Sequence, residues 1–414
     1  MWRGWWWGQW WRRVPLPACP PAPGVCYQRH RAPHRPMSSD GRPPVPLGGR
    51  ILTDPDRVFQ HNMWDHVQWS EEDTEEARRK AEENSSERIP TEEQVKYERD
   101  ASVFWDGFYH MHQAKFFKDR RWLFQEFPEL LPPTQSHDDH PGDPCRHDEG
   151  GLCCPGDEPH HGPGPVRSAR DAEEETEMEM EEAAEASRQE EASAGGGAGA
   201  GAESGGFPGD QASFRILEVG CGAGNSVVPI ITAIRERGGF LYCCDFSSKA
   251  VQLVKEHPAC DGGVCHVFEH DVCDEGAPLP FPPASLHIIL LVFVLSAIPP
   301  HRLQGVVSRL CTYLRPGGVV LFRDYGRYDL SQLRFKKDQC LSENFYVRRD
   351  GTSVYFFTKE EVHDLFVGAG LEELQNLEDR RLQVNRAKKV LMRRVWMQGK
   401  FQKPLHPPTP EAGG

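Results

Sequence analysis

The stretch that most constrains the fold is "ILEVGCGAGN", residues 216–225, an apolar run that breaks into three alternating glycines. Ile216, Leu217 and Val219 read as a buried strand, and Gly220, Gly222 and Gly224 let the backbone turn sharply into a helix near Asn225. The loop lacks the lysine and Ser/Thr of a phosphate-cradling loop, which excludes a nucleoside triphosphate. A dinucleotide fingerprint needs its third glycine one place later, where Asn225 stands, and Glu218 is a poor neighbour for a pyrophosphate. A phosphate-free adenosine cofactor fits better, and S-adenosylmethionine is the obvious candidate.

The residues beyond the loop support that choice. Strand-like runs at 214–219, 240–244, 264–270, 286–292 and 319–323 are mostly separated by helical patterns, which predicts a doubly wound, mostly parallel α/β sheet. Asp245 ends the second run, where a carboxylate can accept both ribose hydroxyls. Asp271 ends the third, beside Val272, placed to meet the adenine; Val292 ends the fourth and is expected to line the cofactor. Beyond the sheet, a hairpin is expected over 344–358 with its turn at Asp350-Gly351. A capped helix runs from Thr358 toward Gly370, with two more strands after it.

Upstream, residues 50–133 read as a helical, aromatic arm. Ser70 with Asp73, and Thr91 with Gln94, look like helix-starting caps. In the helix that Thr91 opens, Phe104, Phe108 and Met111 form one apolar stripe, and Trp105, Tyr109 and His112 form a second beside it. A sulfonium is attracted to aromatic faces, so Trp105 and Tyr109 are candidates to close over the donor, or they simply pack the arm onto the sheet.

Charge divides the rest. The net charge of −14 resides in residues 134–206, which hold 19 acidic and 4 basic residues, so the remaining chain is nearly neutral. Rich in Pro, Gly, Ser and Glu, that segment reads as a disordered linker. Its Cys145, His147, Cys153, Cys154, His160 and His161 match no standard zinc spacing, and no metal is expected. The 13 cysteines are scattered, suiting free thiols, and no apolar run has membrane-spanning length. Residues 1–39 carry six arginines, no lysine and no acid, the bias of a mitochondrial presequence, although six tryptophans in the first eleven positions are atypical. A start at Met37 would remove this leader and leave a cytoplasmic protein. The domains so drawn are a leader to 49, the arm 50–133, the linker 134–206, a sheet domain 207–404 and a tail 405–414.

Six segments carry a resemblance to a known family: "FFKDRRWLFQEFPEL", "ILEVGCGAGN", "YCCDFSSKAVQLV", "VFVLSAI", "RDYGRYDLSQLRFKK" and "NFYVRRDGTSVYFFT". Together they resemble the eukaryotic tRNA 3-methylcytidine methyltransferases of the methyltransferase-like family. Within that family "GRILTD", "HNMWDH" and "QVKYERD" look most like the mitochondrial member. The resemblance implies a class I, Rossmann-like S-adenosylmethionine-dependent methyltransferase whose N-terminal arm serves as cofactor lid and RNA-binding element. It implies cofactor contacts from Trp105, Tyr109, Gly220, Gly222, Asp245, Asp271, Val272 and Val292. The substrate it implies is tRNA, methylated at N3 of an anticodon-loop cytidine, with an aminoacyl-tRNA synthetase or another tRNA-binding protein as a candidate partner. His287 departs from the family, which usually has an aspartate there.

The ring nitrogen keeps an in-plane lone pair at neutral pH, so the reaction needs in-line placement and exclusion of water rather than a covalent adduct. The base must be unpaired and splayed into a pocket. Asp324, with Arg323, is the candidate for stabilising the cation that forms on the base; equally, Asp324 could be holding Arg323 and Arg327 in place. Candidate RNA contacts are Lys118, Arg120, Arg323, Tyr325, Arg327, Arg334, Lys336 and Arg348, with Lys337 and Arg349 beside them. From Arg323 to Lys403 there are 17 basic and 12 acidic residues, a modest excess. A small-molecule or protein methyltransferase would explain the cofactor positions but not RDYGRYDLSQLRFKK. A cofactor-binding protein without turnover would be favoured by a broken loop or a missing Asp245, and both are intact.

Overall fold

The computed structural model describes residues 49–113, 119–132 and 206–406. The arm begins with a 3-10 turn (Pro55–Gln60) and a short strand, β1 (Met63–Trp64), followed by helices α1 (Glu71–Asn84), α2 (Thr91–Arg99), α3 (Ala101–His112) and the single turn α4 (Leu123–Glu126). Ser70 caps α1 as expected: its hydroxyl accepts from Asp73 N while Asp73 accepts from Ser70 N. Thr91 differs from its expected role. Pro90 occupies the cap position and no side chain caps α2; Gln94 instead donates to Ile89 O at 2.7 Å. The single helix expected here breaks at Asp100 into α2 and α3; the first stripe stays whole on α3, but only Phe108 of it is buried and Met111 is 55% exposed.

The main sheet contains β2 (Phe214–Val219), β3 (Gly239–Asp245), β4 (Cys265–Glu269), β5 (Leu286–Val292), β6 (Leu314–Tyr325), β10 (Glu372–Asn385) and β11 (Val390–Gln402) in addition to β1. Its order is β1-β10-β11-β6-β5-β2-β3-β4. From β4 through β3, β2 and β5 to β6 every pairing is parallel, and from β6 through β11 and β10 to β1 every pairing is antiparallel. The parallel strands are apolar on nearly every residue because both faces are covered. The arm is therefore woven into the sheet: Met63 and Trp64 pair with Gln383 and Leu382 at its edge.

Helices α5 (Val227–Ile234) and α6 (Ser248–Lys255), together with Leu123, Phe127 and Leu130 of the arm, cover one face. Helices α7 (Pro300–Tyr313) and α9 (Lys359–Val367) cover the other, and the turn α8 (Leu330–Leu333) lies between them in sequence. Pro300 sits in the first turn of α7, and Thr358 and Glu361 form the expected capping box of α9. The hairpin expected over 344–358 is β8 (Phe345–Val347) with β9 (Ser353–Tyr355), extended to three strands by β7 (Cys340–Ser342). Among the described residues no helix is long and apolar enough to cross a membrane. The cysteines and histidines of the candidate metal cluster, the leader up to residue 48 and the linker up to residue 205 lie outside the described residues.

Candidate active site

The strand order reverses between β2 and β5, and a crevice opens at their carboxyl ends. Gly220, Gly222 and Gly224 leave β2 with positive φ of 65°, 52° and 87°. Their small size matters as much as their freedom. A Cβ on Gly220 would stand 2.6 Å from Cγ2 of Val294, and one on Gly222 would stand 2.6 Å from the Tyr109 hydroxyl. The loop is thus pressed between the end of β5 and the arm.

Helices α2 and α3 roof the crevice to make a cavity. Gln94, Tyr97, Glu98, Ala101, Trp105 and Tyr109 look into it from above, and Val219, Gly220, Asp245, Phe246 and Asp271 form its floor. Trp105 and Tyr109 stack at 5.9 Å with 28° between their planes, while Phe108 and Tyr109 seat α3 on Ala250 of α6. Burial and the nearby Asp245 push the Tyr109 hydroxyl well up from its ordinary pKa, so it remains a neutral donor.

Two buried carboxyls flank the glycine loop. Asp245, 5% exposed, accepts from Gly222 N and Ser247 N, both at 2.9 Å. Burial pushes its pKa up to about 6 against the pull of those N–H groups. Glu218 is 2% exposed with one buried carboxyl oxygen unpartnered within the protein, and burial takes it to about 7 despite Arg120. Asp271 is exposed on the cavity rim, where Oδ1 accepts from Cys273 N at 2.8 Å, and the adjoining Val272 is part of the wall. Glycine positions that a Cβ would fill, an unpartnered buried carboxyl oxygen, acidic groups at two successive strand ends and a stacked aromatic pair fit a cationic adenosine cofactor. The same two carboxylates disfavour a pyrophosphate.

Several expected site residues lie elsewhere. Val292 is buried with Ile288 and Leu290 in the core of the opposite face, because side chains alternate along β5. Phe293 and Val294 line the cavity in its stead, Phe293 with a positive φ of 57°. Arg323, expected to touch substrate, is 5% exposed. It donates to Asp379 at 2.8 Å and to Gln398, with the rings of Trp122 and Trp396 at 5.2 and 5.0 Å. That enclosure makes it part of the scaffold. Asp324 is fully buried beneath the turn after β5, accepts from Ser296 N and Tyr325 N, both at 2.9 Å, and is raised to about 6 by burial. It holds that turn and does not line the cavity.

Arg327 is likewise committed, with one nitrogen 3.0 Å from both Glu361 oxygens. Gly222 lies beneath Tyr109 rather than on the cavity wall. Arg120 donates to Asn225 O and lies 5.5 Å over Phe293. Phe293 in turn meets Tyr325 at 5.1 Å, and Arg348 lies 5.8 Å over Tyr325. Two rings flanked by two cations thus run in a row beside the cavity. Arg334, Lys336, Lys337 and Arg349 are exposed, and Lys118 is outside the described residues. His287 opens β5 at the far end of the sheet; burial and the adjacent Arg315 and Arg215 lower its pKa to about 4.

A family model described as "Methyltransferase domain" matches residues 216–318. The chain is 48% identical over 368 residues to tRNA N(3)-cytidine methyltransferase METTL2 of Gallus gallus, covering 87% of this chain and 96% of that relative. It is 49% identical over 360 residues to METTL2B of Homo sapiens, with 87% and 94% covered. It is 47% identical over 288 residues to METTL8, mitochondrial, of Homo sapiens, with 67% and 95% covered.

Proposed function

The chain belongs to the tRNA N(3)-cytidine methyltransferases, and from that premise we propose that its target is an unpaired cytidine of the anticodon loop, in mitochondrial tRNA. The observation that carries the site is the buried Asp245 carboxylate, held by Gly222 N and Ser247 N beneath the Trp105–Tyr109 lid. Asp245 is placed to accept the ribose hydroxyls, and Asp271 with the Val272 backbone to meet the adenine. Bound here, S-adenosylmethionine supplies a methyl group on a sulfonium.

Trp105 and Tyr109 shield that cation from water and attract it through their ring faces. The cytidine nitrogen brings its own lone pair, so the protein's work is placement. Phe293 and Tyr325 offer an aromatic wall beside the cavity for the splayed base, with Arg120 and Arg348 as flanking cations. Asp324 acts at one remove, fixing the turn that carries Phe293. Exposed Arg334, Lys336, Lys337 and Arg349 are candidate phosphate contacts.

The acid-free, arginine-rich residues 1–39 support the mitochondrial reading. A cytosolic reading has its own support. The match to METTL2 covers 87% of this chain against 67% for METTL8, and a start at Met37 would remove the leader. Full-length protein is incubated with labelled donor and separated mitochondrial and cytosolic tRNA pools, then the RNA is digested to nucleosides. Label in 3-methylcytidine from the mitochondrial pool is expected. Label confined to cytosolic tRNA overturns the compartment, and label that a parallel digest to oligonucleotides maps outside the anticodon loop overturns the target.

A further inference from the structure

Asp106 follows Trp105 in the lid but points toward a different element. Its Oδ1 accepts the Ser247 hydroxyl at 2.6 Å and the backbone N–H of Lys249 at 3.1 Å, and its Oδ2 lies 3.4 Å from the Ser248 hydroxyl. These groups form the amino end of α6, where the first N–H groups of a helix lack intrahelical partners and a carboxylate suits the helix dipole. Ser247 already caps its own helix by accepting from Ala250 N at 3.1 Å. Asp106 therefore adds a second cap, supplied in trans across 143 residues to Lys249.

The path continues into the cofactor site. Ser247 donates its backbone N–H to Asp245 Oδ1, and Asp245 Oδ2 accepts from Gly222 N, both at 2.9 Å. Asp106, Ser247, Asp245 and Gly222 thus form one hydrogen-bonded line from the lid to the glycine loop. Beside these hydrogen bonds α3 packs on α6 through apolar side chains, Phe108 and Tyr109 with Ala250, and Trp105 and Leu253 against them. Such packing is non-directional, whereas hydrogen bonds to a helix end set where α3 stops along α6.

We propose that Asp106 is the lid latch, a positioning residue that seats Trp105 and Tyr109 over the cavity and couples lid closure to occupancy of the methyl-donor site. The inference rests on the cavity being that site. Asp106 does not touch donor or RNA itself; it acts through Ser247 and the position of α3.

The test uses full-length protein carrying Asp106→Ala or Asp106→Asn, with S-adenosylhomocysteine binding measured by calorimetry, tRNA binding measured without donor, and steady-state kinetics. Asp106→Ala is expected to weaken S-adenosylhomocysteine binding about tenfold, the scale of a lost charged cap. Donor KM should rise by the same factor while kcat stays within about twofold. Asp106→Asn keeps an acceptor oxygen and should recover to within about threefold, with tRNA affinity unchanged in both variants. The latch is overturned if Asp106→Ala binds within twofold of wild type, or if it loses donor and tRNA affinity together with a lowered Tm that Asn fails to restore. Asp245→Ala separates the two ideas: binding retained in that variant sinks the site itself, whereas binding lost there but normal in Asp106→Ala sinks only the latch.

Discussion

Two of the places where the molecule buries ionisable groups treat them oppositely. On the antiparallel half, Asp379 lies between Arg323 at 2.8 Å and Arg381 at 2.9 Å. Burial alone would raise it, yet the two guanidiniums hold its pKa below the ordinary carboxylate value. Asp65 and Glu126 of the arm approach Arg381 from outside, so this cluster also clamps the arm to β10. On the parallel half, Asp245 and Glu218 have backbone donors and one half-buried arginine between them, and both pKa values are raised. A buried carboxylate with its cations in place is scaffold. One left under-compensated at a strand end, beside a cavity with an aromatic roof, is a place for a ligand.

The comparison breaks most readily at Asp379. Its replacement by Ala leaves two guanidiniums buried without their carboxylate and should cost about 3 to 5 kcal/mol in stability. Thermal melting checks this, and donor affinity of the molecules still folded should stay near wild type. The pH dependence comes next. Asp245 and Glu218 have folded pKa values of about 6 and about 7, above their ordinary 3.8 and 4.5. Their contribution is therefore full below about pH 4 and lost as pH rises toward 7, so unliganded protein should lose about 2 to 3 kcal/mol from each across that window. Asp379 has the opposite sign, stabilising above its ordinary 3.8 and failing as pH falls through its lowered value. Melting from pH 3 to 8 should therefore pass through a maximum, and donor affinity should rise through pH 6 as Asp245 ionises.

Smaller changes sharpen the contrast within the ligand half. Gly222→Ala forces a side chain into positive φ and against Tyr109, and should weaken donor binding by about 1 to 2 kcal/mol, read by calorimetry. Glu218→Gln removes a buried ionisable group and should raise unliganded stability by about 2 to 3 kcal/mol at pH 8, with little change at pH 4.

Legibility in the sequence tracks the range of the interactions. The parallel sheet, the glycine loop and Asp245 at a strand end are local patterns, and β2 and β5 fall at their expected bounds. Val292 departs from its expected place by one residue: β5 ends at Val292, and Phe293, turned out of the strand by its positive φ, meets the cavity with Val294. Arg323 reads as an RNA contact in sequence because its partners Asp379 and Gln398 lie 56 and 75 residues away. Asp106 carries no signal, since its cap role requires α6 to arrive beside α3. Pro90 takes the cap position from Thr91 through backbone geometry that composition does not record.

The central contrast meets its most direct test in Asp245→Ala, with S-adenosylhomocysteine affinity and Tm measured on the same preparation. A loss of at least about 100-fold in affinity, some 2.7 kcal/mol, with Tm held or raised is the expected result, because the side chain serves the ligand and burdens the empty fold. Retained affinity, or a collapse in Tm like that expected for Asp379→Ala, would place Asp245 in the scaffold and contradict the account.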